Sequence, residues 1–231
     1  MKKSLLTLVA AVSCFTASAQ FRNTSSPTFG IKGGVNFASV TISQNGTSSD
    51  YGSGTLTSFS AGVFADLPLG EKFSVQPGLF YSGKGYKIKV NFDMGSAFNI
   101  NAEESLKLAY IQLPVHFLYN ADANFGRFFF GAGPFAAAAI KAKGKISGDI
   151  SLGEEYGGES GSNTTEQDLE IGSNGVIKRL DYGVTGLIGV RFNNGISLSA
   201  NYDYGLADIY NNSVSQKMKT RTIGLSLGYS F

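Results

Sequence analysis

Tryptophan is absent from this 231-residue chain, and cysteine and histidine each occur once. Charged residues make up only 16% of it, and there are five prolines. Each shortage excludes something. The one cysteine, Cys14, lies close to the N-terminus, so the rest of the chain cannot build a disulfide framework or a thiolate metal site. His116, standing alone, cannot complete the usual zinc or copper set. After residue 19 no apolar run approaches the roughly 18 continuous residues of a membrane helix, so any crossing of a bilayer must be made by strands. Basic residues are not in marked excess, with 19 Lys and Arg against 17 Asp and Glu. That balance gives no basic patch for nucleic acid.

The N-terminus has its own character. Lys2 and Lys3 precede an apolar run from Leu5 to Val12, and Ala17-Ser18-Ala19 supplies small residues. This predicts a secretory signal peptide over 1–19, cleaved after Ala19, and a polar leader over 20–28. A lipoprotein signal would need Cys14 as the acylated residue after Ala11-Val12-Ser13, a poor context. Cleavage removes Lys2 and Lys3, so 19 basic residues become 17, equal to the acidic count.

What remains is rich in glycine, with 30 residues, and in aromatics, at 13%. Period-two alternation then marks eight strands over 29–231. The first runs from Phe29 to Val40, the second from Ser58 to Leu67, the third from Phe73 to Gly83 and the fourth from Leu106 to Tyr119. The fifth, Arg127 to Ala139, carries Phe and Ala on both faces and leaves its inward side open. The sixth runs from Arg179 to Phe192 and the seventh from Ile196 to Gly205. The eighth, from Arg221, sets Ile223, Leu225, Leu227, Tyr229 and Phe231 against Thr222, Gly224, Ser226, Gly228 and Ser230.

Connections alternate in length. Pro68–Lys72, Asn120–Gly126 and Asn193-Asn194-Gly195 are short, and the Asn-Gly pair supplies positive φ cheaply. The others are long and polar, to about Thr57, about Ser105, about Lys178 and about Thr220. The stretch after Gly83 keeps alternating (Ile88, Val90, Phe92), which extends that hairpin beyond a membrane. An even number of strands with short turns at one end and long loops at the other predicts an all-β, eight-stranded antiparallel up-and-down transmembrane β-barrel of a bacterial outer membrane. A soluble eight-stranded barrel would put its apolar face inward instead. Pro77 and Pro114 each remove a ladder donor, so local bulges are expected there.

The two faces sort chemically. Lys32, Asp66, Gln76, Gln112, His116, Asp181, Arg191, Asn201 and Asp203 fall on the polar face and are expected to fill the lumen as structural groups. Lys32, Asp66 and Arg191 should pair near the short-turn end and seal it, since buried charges cannot stay unpaired cheaply. On the apolar face, Phe29, Phe73, Tyr119, Phe128, Phe192 and Phe231 lie at the short-turn ends, and Phe59, Tyr81, Tyr182 and Tyr204 at the long-loop ends. Two aromatic girdles at the membrane–water interfaces are the expectation.

Several stretches resemble a known family. S-V-Q-P-G-L-F-Y-S-G-K-G at 74–85, Y-I-Q-L-P-V at 110–115, G-A-G-P at 131–134, F-G-I-K-G-G-V-N-F at 29–37 and N-Y-D-Y-G-L at 201–206 are similar to the PorT-like outer-membrane β-barrel domain of Bacteroidetes. The family often has Glu where Gln112 stands and Arg where Asn201 stands, so its interior charge pattern is not carried over. The resemblance implies fold and location, and a possible place in protein secretion. The strand ending at Phe231 likewise resembles the closing strand that the barrel-assembly machinery reads.

Chemistry-bearing motifs are scarce. There is no G-x-S-x-G elbow and no P-loop, and His116 sits far down its strand. Asp149, Glu154, Glu155, Glu159, Glu166, Asp168 and Glu170 cluster in the third long loop without the spacing of an EF-hand, which predicts a solvated face. The expected function is therefore non-enzymatic, with no cofactor and no metal. The chain is expected to be a structural or surface-display barrel in the outer-membrane bilayer, whose loops meet extracellular or secretion-system proteins. The alternatives are an accessory of secretion or outer-membrane assembly, then an enzyme, then a narrow pore.

Overall fold

The structure, a computed structural model, describes residues 26–44, 47–49, 54–93, 98–152, 160–172, 175–211 and 216–231. The signal peptide and most of the leader lie outside the described residues. Ten strands are described: β1 (Thr28–Gln44), β2 (Thr47–Ser49), β3 (Leu56–Pro68), β4 (Phe73–Asp93), β5 (Phe98–Ala123), β6 (Gly126–Leu152), β7 (Ser160–Asp168), β8 (Leu180–Phe192), β9 (Ile196–Gly205) and β10 (Gln216–Ser230). Eight of them, β1, β3 to β6 and β8 to β10, pair antiparallel in sequence order. The ring closes where β10 returns to β1, with Gly30 opposite Ser230 and Gln44 opposite Gln216. This is the eight-stranded barrel that the alternation implies. Closure satisfies every strand edge within the ring, as a span without water requires.

Alternation places the side chains. Along β10, Ile223, Leu225 and Leu227 are exposed while Thr222, Gly224 and Gly228 are buried. The same holds round the ring: Phe29, Ile31, Val63, Leu79, Leu113, Ile188 and Leu198 point outward. A protein with this much apolar surface outside and its polar groups inside is built for a lipid solvent. At the short-turn end, Gly195 has φ 85°, which lets the chain reverse in three residues between β8 and β9.

Two expectations need correction. The third long loop is largely strand, while the hairpin after Gly83 extends as its alternation implies. β4 and β5 pair as far as Asp93 opposite Asn99, and β6 continues to Leu152. β7 then lies along β6, from Lys143 opposite Asp168 to Ser151 opposite Ser160, making a four-stranded sheet beyond the barrel. Polar, Gly- and Ser-rich sequence disguised the β6–β7 pairing, because every residue of β7 meets water. The ring keeps its eight strands, and β2 and β7 pair outside it. Secondly, no bulge forms at Pro77 or Pro114. The ladder passes from Pro77 opposite Val115 to Phe80 opposite Gln112, and from Pro114 opposite Phe135 to Phe117 opposite Ala132, with register kept. Each proline costs rungs without inserting a residue. The register shift sits elsewhere, at Ala109/Tyr110 of β5 against β6.

That shift accounts for the ambiguous fifth strand. Below it, odd residues of β6 face inward: Phe129, Phe135, Ala137 and Ala139 are buried. Above it the parity reverses, so Ala142 is buried and Lys141 is exposed. A bulge re-aims every side chain that follows it.

A packed apolar layer caps the extracellular end. Val40, Tyr86, Leu106, Leu108, Tyr110, Phe135, Ile177, Ile209 and Met218 form its buried cluster, with Ile88, Leu169, Ile171 and Tyr210 against it. Ile177 and Ile209 come from segments outside the strands. They are held across the opening by Lys178 N donating to Ile209 O and Ile209 N donating to Met218 O, both at 2.9 Å.

Candidate functional site: the barrel interior

Inward alternation from seven strands brings the polar groups together in the lumen. Asp203 on β9 is the hub. Its Oδ2 accepts from Gln112 Nε2 at 2.9 Å, and its Oδ1 accepts from Thr185 Oγ1 at 2.7 Å and Asn201 Nδ2 at 3.1 Å. His116 Nε2 lies 3.4 Å from Thr185 Oγ1. Above Asp203 stands Lys84, wholly buried, with Nζ 3.2 Å from Asp181 Oδ2 and 4.0 Å from Asp203 Oδ2. Thr220 Oγ1 donates to the same Asp181 oxygen at 2.8 Å. The Lys84 ammonium also sits 4.2 Å from the centroid of Phe135 and 5.4 Å from that of Tyr110, so two rings share its charge.

Toward the short-turn end, Arg191 Nη2 meets Asp66 Oδ2 at 2.9 Å. Gln76 is buried there, and Asn120 Nδ2 donates to Ser74 Oγ at 3.0 Å. Leu118, Phe129 and Leu187 form a small buried apolar cluster in the same half of the barrel. Lys32 departs from expectation. Among the described residues it pairs with no carboxylate directly, and it lies 5.6 Å from the Phe64 centroid and 5.4 Å from that of Phe80. It shares a cavity of ≈ 40 Å³ with Asp203, Gln112 and His116. Its aromatic flanks hold it back from the acids, and the cavity has room for about one to three waters to bridge the gap. Gln112 Oε1 has no protein partner and lines the same space.

Lys84 is the interior residue that reasoning on the sequence missed. Its position was legible: Ser74, Gln76 and Ser82 already face inward, and the parity simply continues. Ending the strand at Gly83 cut it off. With Lys84 included, the interior charges among the described residues balance, Lys32, Lys84 and Arg191 against Asp66, Asp181 and Asp203.

The aromatic residues fall on the outer wall. Phe29, Phe59, Phe73, Phe128, Tyr182, Tyr204 and Phe231 are exposed, and Tyr81, Tyr119 and Phe192 partly so. They pair locally: Phe59 with Tyr81 at 4.9 Å, and Phe73 with Tyr119 at 5.4 Å. Phe125, Phe130 and Tyr229 join the same belt through Phe128, Tyr119 and Phe231. At the other end the Arg221 guanidinium stacks 3.6 Å from the Tyr204 centroid.

Outside the membrane, charged groups pair across strands. Lys87 meets Glu103 at 2.6 Å, and Lys143 meets Glu166 at 2.6 Å. Two members of the expected acidic face, Glu166 and Asp168, thus lie on β7 beside Lys143. Glu154, Glu155 and Glu159 fall outside the described residues. Burial, reinforced by the hydrogen bond to Glu104, pushes the Tyr86 phenol above its ordinary range. For Asp208, burial opposes the charge. Donors from Met218 N, Lys178 Nζ and Tyr210 N together outweigh it and hold the carboxyl below its ordinary value.

Among solved structures the chain is similar to Ail, the attachment invasion locus protein of Yersinia pestis, at 13% identity, covering 90% of this chain and 100% of that one with a TM-score of 0.33. It is also similar to Neisserial surface protein A, at 15% identity over 89% and 98% with a TM-score of 0.32. OprG of Pseudomonas aeruginosa follows at 14% identity over 89% and 96%, with a TM-score of 0.31. No curated protein matches the sequence. The family model described as an outer membrane protein beta-barrel domain matches residues 18–211. The chain therefore belongs to the outer membrane protein β-barrel domain family, and its place is the bacterial outer membrane.

Proposed function

We propose that this protein is a non-enzymatic barrel with a closed lumen, whose extracellular sheet is a contact surface for other proteins. The observation that carries the reading is the filled interior. Paired charges, the Asp203 hydrogen-bond hub and the apolar cap leave ≈ 40 Å³ around His116, too little for a substrate. The chain instead extends outward through β4 to β7, where both sheet faces and the β7 edge are open to partners. The exposed rings from Phe29 to Phe231 serve in this reading as interfacial anchors. Cleavage after Ala19 belongs to it too, and the N-terminal mass of protein taken from outer membranes checks it. The narrower PorT-like kinship, with the secretion-accessory role it implies, rests on sequence motifs.

The test is electrical. Reconstituted in a planar bilayer, the barrel should show little or no steady conductance. A stable, large conductance would refute the closed lumen and favour the pore.

A further inference from the structure

Just above the Phe59–Tyr81 stack, on the lipid-facing side of the barrel, the wall is indented. Small residues, Gly83 and Ala109, stand here opposite each other on β4 and β5. The indentation holds ≈ 380 Å³ and is lined by Phe59, Tyr81, Gly83 and three lysines, Lys107, Lys141 and Lys143. Glycine is required at 83, since a Cβ there would stand 2.8 Å from that of Ser58.

Lys141 and Lys143 are outside because of the bulge. Without the shift at Ala109/Tyr110, the odd residues of β6 would keep facing inward, and Lys141 and Lys143 would enter the apolar cap. With it, Lys141 stands beside Ala109 and Lys143 beside Lys107. Two like charges directly across a strand pair repel. Glu166 neutralises Lys143 from β7. Lys107 and Lys141 have no carboxylate within ion-pair distance among the described residues. Cations above an aromatic ledge, beside an apolar wall at the level of the membrane surface, match one chemistry: an anionic headgroup with acyl chains running down the barrel.

We propose that this groove is a binding site for a phosphorylated lipid of the outer leaflet. The phosphate lies between Lys107 and Lys141, and the first acyl carbons lie over Phe59 and Tyr81. The test is native mass spectrometry of the intact barrel released from detergent micelles doped with phosphatidic acid or with phosphatidylcholine of the same chains. Phosphatidic acid should be retained preferentially. Lys107→Gln with Lys141→Gln should weaken that retention roughly tenfold or more, at about a factor of five per lysine near a membrane surface. Ala109→Phe, which fills the groove and leaves every lysine in place, should weaken it as well. Lys217→Gln with Lys219→Gln, on β10, should not. Heat-modifiable gel mobility confirms that each variant is folded. Equal retention of both lipids, wild-type retention in the lysine variant, or an equal loss in the β10 variant would overturn the proposal. So would displacement of the lipid by equimolar inorganic phosphate, which would make the site one for the free anion.

Discussion

Replacing Lys84 by Met tests the interior most sharply. The substitution conserves much of the volume and removes the charge. Asp181 would then keep the Thr220 hydroxyl on Oδ2, while its Oδ1 already lacks a partner. Both side chains of the pair are completely buried. Removing one member of such a pair costs about 3–5 kcal/mol, because the other is stranded in a low-dielectric site. The reverse change, Asp181→Asn, should cost less. Lys84 would still have Asp203 at 4.0 Å and the faces of Phe135 and Tyr110. Combining Lys84→Met with Asp181→Leu leaves Lys32 and Arg191 against Asp66 and Asp203, still balanced. The double variant should therefore recover most of the loss, with a coupling of about 2 kcal/mol or more between the sites.

The assay is folding into lipid vesicles across a urea series, scored by the fraction of heat-modifiable, fast-migrating protein. Expected midpoints run from wild type highest, through the double variant and Asp181→Asn, to Lys84→Met lowest. If Lys84→Met shifts stability by less than about 1 kcal/mol, the ammonium is solvated and the lumen is wetter than its packing implies. If the double variant is as unstable as the sum of its parts, the two groups do not act as a pair.

His116→Gln should leave insertion intact and cost at most about 1 kcal/mol, since its polar contact with Thr185 is long, at 3.4 Å; loss of a cellular phenotype in a folded His116→Gln protein would point to lumenal chemistry. The Asp208 clamp should be pH-dependent. Its carboxyl is held below the ordinary value of 3.8, so its contribution is present above that value and disappears as pH falls through the lowered one. Hydrogen-exchange protection of the Met218 and Tyr210 amides, corrected for intrinsic rates, should therefore drop as pH is taken from 6 down through the lowered value, and Asp208→Asn should remove the drop. Replacing Ser147–Thr164 by a two-residue turn cuts β6 and β7 at a matched rung. It should abolish partner binding while gel mobility still reports a closed barrel, and retained binding would move the contact surface elsewhere.

The barrel was legible because lipid imposes a strict rule on it. Each residue between the two interfaces must choose between the bilayer and the lumen, and period two records the choice. Asp66, Gln76, Gln112, His116, Asp181 and Asp203 could all be placed inside from alternation, and all are buried. The rule lapses above the membrane. Residues of β7 such as Ser162 and Thr164 meet water on both faces, and nothing in their sequence distinguishes a paired strand from a loop. The apolar cap hid for a related reason. Ile171, Ile177 and Ile209 are isolated in polar sequence, and only the closed ring below them makes a surface on which they can be buried.

The bulge at Ala109/Tyr110 shows a third limit. In β6 the stretch Phe128 to Ala139 carries apolar residues at both parities, because Phe129 and Phe135 pack inside the barrel while Phe128 and Phe130 face lipid. The parity of Lys141 and Lys143 therefore cannot be extrapolated from the strand that leads to them. A small interior explains the inward phenylalanines, since an eight-stranded barrel is filled by its own side chains. They occupy space that polar groups leave, and Phe135 does so against the Lys84 ammonium. The same packing dictates the bulge. Continuing the lower parity would drive two ammonium groups into the layer formed by Leu108, Tyr110 and Ile177. One extra residue on β6 sends Ala142 there instead and turns the lysines toward the membrane surface. Closing the lumen and exposing the basic groove are thus consequences of a single inserted residue.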